Sequence, residues 1–462
     1  MSRLVVVSNR VALPSATRAG GLAVAMHAAL AEQGGVWFGW SGRTRTGERG
    51  KRGKRALHLQ RRGRVTYATL DLDKHDYDQY YAGFANRSLW PLLHFRPALV
   101  HFERETWAGY LRVNEEFAER LMEILEPGDL IWVHDYHLIP LAAALRRLGV
   151  HARMGFFLHT PLPPPDLLLM LPVHRELFEA LGAYDLVGFH IERYRRAFRD
   201  YILHEAHGEM NEQGVISVRG GRRSFRAGVF PIGIDTAEIA RLAAAAPASA
   251  SFRQLERSLR GRALVVGVDR LDYSKGLYER FEAFARTMKE YPEFRRKVTL
   301  LQIAPPSRGE VPEYREIRRE LEGLAGAING RLAEPDWNPI RYVNKTYGQA
   351  ALAGFYRLAR VGLVTPLRDG MNLVAMEYVA SQDPEDPGVL VLSRFAGAAE
   401  VMDGALLVNP HDGEAMVQGM RAALTMSLAD RKARWHSMMA RLRAYDITAW
   451  RRDYLAALGG NR

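Results

Sequence analysis

Short apolar runs alternate with helical periods along the whole chain. Residues 4–8 read as a buried strand. Residues 22–33 read as a helix, opened by Gly20-Gly21. Further apolar runs at 130–133, 154–158 and 186–189 predict strands. They show little alternation, the pattern of a parallel sheet covered on both faces. Residues 229–233 read as a crossover, followed by a small-residue segment at 243–251, and then the pattern starts again. Strands are expected at 263–268, 298–304, 361–365 and 389–393, with helices at 277–291 and 372–381. The last ~50 residues read mainly as helix by their period. The predicted class is α/β, with two open, doubly wound sheets facing each other. Ligands are expected in the cleft outside the carboxyl ends of the strands.

Composition narrows the chemistry. The chain has 462 residues, 47% of them hydrophobic, enough for two sizeable cores. There is no cysteine, so disulfides, thiolate metal sites and thiol nucleophiles are excluded. The apolar run after Met1-Ser2-Arg3 is too short for a signal peptide, and no run reaches membrane-spanning length. The expectation is a cytoplasmic protein without a membrane partner.

The net charge is +12, and residues 43–64 hold ten Lys/Arg against one acidic residue, Glu48. That stretch reads as a solvated loop. Its alternative, a nucleic-acid contact, lacks interleaved aromatic residues, so no nucleic-acid partner is expected.

Several signatures are missing. There is no Gly-x4-Gly-Lys-Ser/Thr loop, and no Gly-x-Gly-x-x-Gly follows the first strand, which argues against an NTPase or a dehydrogenase. Asp71-Leu72-Asp73 matches a metal-binding pattern of sugar transferases. The local reading is that Asp73 caps a polar helix beginning Asp73-Lys74-His75-Asp76. His134 and His137 have a metal-like spacing, but no third ligand of matching spacing accompanies them.

The densest signal is Asp269-Arg270-Leu271-Asp272-Tyr273-Ser274-Lys275-Gly276, directly after a strand and before a helix. Arg270 and Lys275 there can neutralise charge on a departing diphosphate. The second is Thr365-Pro366-Leu367-Arg368-Asp369-Gly370-Met371-Asn372-Leu373-Val374-Ala375-Met376-Glu377. The first N–H groups of its helix, near Asn372 and Leu373, suit phosphate. Asp369 can accept sugar hydroxyls, and Glu377 both ribose hydroxyls of a nucleotide. The bland alternative for these acids is compensation of the helix dipole. A third signal is Ser8-Asn9-Arg10, where Arg10 can clamp a phosphate and Gly20-Gly21 allows close backbone approach to an anion. Asp135 and His159, each after a strand, can bond sugar hydroxyls.

Together these segments resemble the trehalose-6-phosphate synthases, retaining glycosyltransferases of the GT-B fold. The resemblance runs through Ser8-Asn9-Arg10, Trp37-Phe38-Gly39-Trp40-Ser41-Gly42, Leu89-Trp90-Pro91, His134-Asp135-Tyr136-His137-Leu138 and Phe157-Leu158-His159-Thr160-Pro161. It continues through Arg270–Gly276, Ala304-Pro305-Pro306-Ser307-Arg308-Gly309 and Arg368–Val374, so nearly the whole chain is covered in order.

The resemblance implies that Arg270, Lys275, the Gly21 backbone and the Asn372 and Leu373 N–H groups hold UDP phosphates. It implies that Glu377 holds the ribose, and that Asp369 and His159 hold the donor glucose. Arg10, Tyr81, Trp90 and Arg308 would form the acceptor phosphate pocket, with Asp135 on acceptor hydroxyls. The implied substrates are UDP-glucose and glucose 6-phosphate, with no cofactor and no metal, and the implied assembly is a homo-oligomer, a dimer or tetramer. The implied domains are 1–234, completed by a helix near 443–462, and 235–442, with a hinge near 233–236. The donor base (UDP, GDP or ADP) and the acceptor stay open, since a glycerol phosphate or a cyclitol phosphate suits the same fold.

Overall fold

The computed structural model describes residues 2–13, 21–45, 56–211, 214–218, 223–308 and 311–460. The chain divides into two compact units. One comprises residues 1–231 and 449–462, and the other residues 232–448.

The sheet of the first unit contains β1 (Leu4–Arg10), β2 (Gly35–Arg45), β3 (His58–Arg62), β4 (Val65–Asp73), β5 (Leu130–His134), β6 (Arg153–Phe157), β7 (Leu186–Phe189), β8 (Gly208–Met210), β9 (Val215–Val218) and β10 (Ser224–Val229). Their order is β3-β4-β2-β1-β5-β6-β7-β10-β9-β8. From β4 to β10 neighbouring strands are parallel, and β3, β9 and β8 add antiparallel edges. The central strand β1 buries Leu4, Val5, Val6 and Val7 in succession. A parallel strand with both faces covered has no solvent side, so its sequence shows no alternation.

The helix Ile447–Gly459 brings the end of the chain onto this sheet. Its Tyr454 hydroxyl donates to the Phe156 carbonyl at 3.0 Å, and its ring stacks on Trp132 with centroids 4.7 Å apart. A Cβ at Gly155 or Gly188 would come within 2.5 or 2.7 Å of that tyrosine. The two glycines are what let the ring lie flat on the strands.

The second unit is built on β11 (Ala263–Val268), β12 (Val298–Ile303), β13 (Ile340–Val343), β14 (Ala359–Val364), β15 (Val389–Ser393) and β16 (Leu406–Val408). The order is β13-β12-β11-β14-β15-β16, parallel throughout. The chain therefore runs outward from β11 to one edge, then returns and runs outward from β14 to the other. The winding reverses between β11 and β14, and the carboxyl ends of such a strand pair are the usual ligand position in doubly wound sheets. In the first unit the same reversal falls between β1 and β5.

The predicted strands and helices are present with ends shifted by a residue or two, and the α/β, doubly wound class of the GT-B kind is the one observed. Three local expectations need correction. Asp73 stands at the N-cap position of the helix Lys74–Asp76, but its side chain makes no capping hydrogen bond. That helix continues as a π-helix, Tyr77–Leu89, that buries Tyr80, Phe84 and Leu89, while Asp76 is buried against Arg112. Tertiary packing overrides the local polar pattern there.

The basic stretch is not all loop. Arg43 and Arg45 lie on β2, and residues 58–62 form the exposed edge strand β3, whose charges keep an open edge soluble. Residues 46–55 of that stretch lie outside the described residues. The small-residue segment at 243–251 closes one helix, Thr236–Ala245, and opens the next, Ala250–Leu259. Among the described residues, no helix is long and apolar enough to cross a membrane.

Candidate active site residues in two units

In the second unit, two strand-end loops are fastened side by side. The Leu367 N–H donates to the Ser274 carbonyl at 2.8 Å. Gly276 has φ +64, and a Cβ there would lie 2.5 Å from the Thr365 carbonyl oxygen, so this turn requires glycine. The consequence is a contact between the two motifs: Lys275 Nζ donates to Asp369 Oδ2 at 2.5 Å. Both side chains are largely buried. The same Asp369 oxygen accepts from Asn372 Nδ2 at 2.9 Å, and Oδ1 accepts the Gly370 N–H at 2.9 Å. Asp369 is thus held in one rotamer by three donors.

Asn372 differs in detail from its expected role. It takes a left-handed conformation, φ 72, and caps the helix Leu373–Ala380 by accepting the Ala375 N–H. The helix begins at Leu373, so the backbone donors for an anion start there. One turn on, burial pushes the Glu377 carboxyl up to about 7. Arg270 is exposed at the mouth of the β11 loop.

Beneath the loops lies Arg280, fully buried. It donates to Asp269 and Gln302 at 2.7 Å each, to Thr365 at 3.1 Å and to the Lys275 carbonyl. Burial raises the Asp269 carboxyl above its ordinary range, and the Arg280 charge opposes that rise. One buried cation therefore ties the end of β11, the end of β14 and the backbone of Lys275 together. Arg308 also belongs to this unit. Its guanidinium donates to the buried Asp272 at 2.9 Å and lies over the Tyr314 ring. The Tyr314 hydroxyl donates to the same Asp272 oxygen at 3.0 Å.

In the first unit, Arg10 ends β1 and is exposed, its guanidinium 6.0 Å from the Trp40 ring centre. Tyr81 packs on Trp40 and Tyr77 and lies nearly parallel to His137, with centroids 5.7 Å apart. His137 in turn packs on Tyr136, and Tyr136 on the buried Trp90. An aromatic chain thus links Trp90 to Arg10. Gly21 opens the helix Gly21–Gln33, and Gly20 lies outside the described residues.

Asp135 and His159 meet after β5 and β6. Asp135 has φ 75, and its Oδ1 accepts the His159 N–H at 3.2 Å. His134 Nδ1 lies 3.1 Å from His159 Nε2. Burial lowers the His134 imidazole to about 3, and burial, with His190 and His134 nearby, takes His159 well below its usual value. Both rings are neutral. His134 and His137, spaced like a metal pair, are engaged separately, one with His159 and the other with the aromatic chain. Among the described residues, no group of three or more His, Asp or Glu is placed to hold a metal ion.

The chain matches known proteins over nearly all of its length. The glycosyltransferase family 20 profile matches residues 4–459. The chain belongs to glycosyltransferase family 20. A trehalose-6-phosphate synthase of Sinorhizobium fredii is 50% identical over 459 residues, covering 98% of each chain. The family resemblance extends to solved structures. An α,α-trehalose-phosphate synthase (UDP-forming) from Burkholderia xenovorans, in complex with glucose-6-phosphate, superposes with a TM-score of 0.95 at 50% identity, covering 99% of this chain and 100% of that one. An E. coli trehalose-6-phosphate protein bound with UDP-2-fluoro glucose gives 0.94 at 45% identity, covering 100% of both chains.

Against this family background, the candidates fall into two groups. Arg270, Lys275, Asp369, Asn372, Leu373, Glu377 and Arg308 are in the second unit. Arg10, Gly21, Tyr81, Trp90, Asp135 and His159 are in the first. Arg308, read with Arg10, Tyr81 and Trp90 as one phosphate pocket, has its hydrogen bonds with Asp272 and Tyr314 of its own unit. The sequence reading gave no role to Asp272, Tyr314, Arg280, Trp40 or His190. Asp272 and Trp40 stood inside quoted motifs, so a signal existed. Tyr314 and Arg280 lie in the first turns of their helices, outside the quoted motifs, and gave none.

Proposed function

We propose that the protein transfers glucose with retention from UDP-glucose to glucose 6-phosphate, giving α,α-trehalose 6-phosphate and UDP. The observation that carries this reading is the Lys275–Asp369 junction at the switch point of the second unit, beside the helix N-terminus at Leu373. Lys275 and the exposed Arg270 neutralise the departing diphosphate, and the Leu373 N–H group adds a dipole of the right sign. Asp369, its rotamer fixed, accepts hydroxyls of the transferred sugar. Glu377 accepts the ribose hydroxyls once ionised.

In the first unit, Arg10 pairs with the acceptor phosphate beside the phenol of Tyr81 and the indole of Trp90, with the Gly21 backbone close to the donor phosphates. Asp135 accepts acceptor hydroxyls, and His159 contacts the donor sugar. Arg308 adds a second cation for the acceptor phosphate. The chemistry is a front-face displacement. The acceptor oxygen bonds to the anomeric carbon as the bond from that carbon to the phosphate oxygen breaks, and the departing oxygen takes the acceptor's proton. No protein nucleophile is required, and the fixed cations supply the charge a metal would otherwise bring.

The test is nucleotide release with EDTA present, using UDP-, GDP- or ADP-glucose and either glucose 6-phosphate or glycerol 3-phosphate, with the product identified by NMR. A 1,1-linked α,α-disaccharide phosphate with UDP release is the expected result. Release with glycerol 3-phosphate alone would replace the acceptor. No release from any pair would sink the reading.

A further inference from the structure

The first unit contains a pair of imidazoles, His134 buried and His159 half-buried, that the reaction scheme uses only by half. His134 ends β5, and His159 follows β6. The two strands are adjacent and parallel, with His134 opposite Phe157 in register. That register places the rings together, His134 Nδ1 to His159 Nε2 at 3.1 Å. At this distance the two nitrogens share one hydrogen, and one ring donates while the other accepts. We infer that His134 is the donor, and that it acts as a positioning residue that holds His159 in the tautomer bearing its hydrogen on Nδ1. His159 then meets the sugar as a hydrogen-bond donor to a hydroxyl oxygen. This inference rests on the proposed role of His159 against the transferred sugar.

The direction follows from what each alternative leaves buried. His134 Nε2 is fully enclosed and has no hydrogen-bond partner among the described residues. If His159 donated, the neutral His134 ring would carry its hydrogen on Nε2, and a buried N–H would have no acceptor. Such orphaned donors are rarer in proteins than under-used acceptors. If His134 donates, only a lone pair is left at the enclosed Nε2, in a ring that packs on Trp132. Burial keeps both rings uncharged, so a doubly protonated ring does not complicate the choice. His159 is part-exposed, and with Nε2 occupied, Nδ1 is the nitrogen left for a ligand.

The experiment uses the full chain labelled with 15N at histidine. The His159 and His134 signals are assigned by their loss in His159→Gln and His134→Asn. The expected spectrum of the unaltered protein has His159 protonated on Nδ1. His134→Phe removes the donor. His159 should then shift toward the Nε2–H form, and kcat/KM for the sugar donor should fall about tenfold, the loss of one hydrogen bond. His134→Asn places an amide N–H near the lost Nδ1–H. It should restore both the tautomer and the activity to within about threefold.

His159 protonated on Nε2 in the unaltered protein would overturn the inference, as would equal impairment of the Phe and Asn variants. Should His134→Phe fail to fold, the unaltered protein and the Asn variant still decide. If the unaltered protein transfers sugar from no donor, the functional reading falls, and the tautomer still decides this inference by itself.

Discussion

Lys275 and Asp369 are 94 residues apart in the chain and 2.5 Å apart in the fold. The pair joins the loop that follows β11 to the loop that follows β14, where the second sheet reverses its winding. A cation for the leaving group and a carboxylate for the sugar are thereby set in one place before any substrate arrives, which is the condition for electrostatic preorganisation.

Lys275→Ala should lower kcat by about 100-fold or more, and Arg270→Ala should act in the same direction. The check is UDP release at saturating substrates. Near-normal turnover in both variants would falsify the assignment of leaving-group charge to these residues.

Glu377 gives a pH dependence with two opposite signs. Its carboxyl is raised to about 7 in the fold by burial, above the ordinary value of 4.5. The folded protein therefore binds the proton more tightly than the unfolded chain does. Stability from this group is fully present below 4.5 and is lost as pH rises through 7. Ribose binding needs the ionised form, so KM for the donor should fall over the same rise. Glu377→Gln should flatten both profiles. Thermal melts and donor KM between pH 5 and 8 test this, and a donor KM that is flat in the unaltered protein counts against it.

Arg280→Ala should destabilise the protein by about 3–5 kcal/mol, because it strands the buried Asp269 carboxylate. Arg280→Lys should recover only part, since one ammonium cannot reach Asp269, Gln302 and Thr365 together. Chemical denaturation followed by circular dichroism measures both variants.

Arg10→Ala should raise KM for the acceptor about tenfold or more while leaving the donor KM near its original value. Initial rates with each substrate varied in turn separate the two. A rise confined to the donor KM would move Arg10 out of the acceptor phosphate pocket.

The two sheets were legible because buried parallel strands cannot hide. Leu4-Val5-Val6-Val7 and the run Ala263–Val268 have no polar alternation to confuse with an exposed strand. The motif loops were legible for a related reason, since a strand, a glycine turn and a helix start mark Lys275 and Asp369 as strand-end residues. What escaped was decided by contacts distant in sequence. Asp73 looks like a cap in its own neighbourhood, but the segment after it is recruited into a buried π-helix. The pairing of His134 with His159 depends on the register of β5 against β6, and nothing within either motif announces it. Glu377 reads as a ribose ligand, and its raised protonation, which arises from the interior around it, leaves no mark in the motif. The burial of Arg280 was invisible because an arginine in a helix is usually solvated.

Tyr454 has a consequence for how the chain is made. The ring lies over Gly155 and Gly188, yet it is translated more than 260 residues after either. Until residues 449–462 are made, the first unit has that patch of sheet uncovered, while the second, whose residues all precede 449, needs nothing from them. Order of synthesis and order of completion are thereby reversed. A released chain truncated after Thr448 should keep its second unit protease-resistant while its first unit stays open to cleavage.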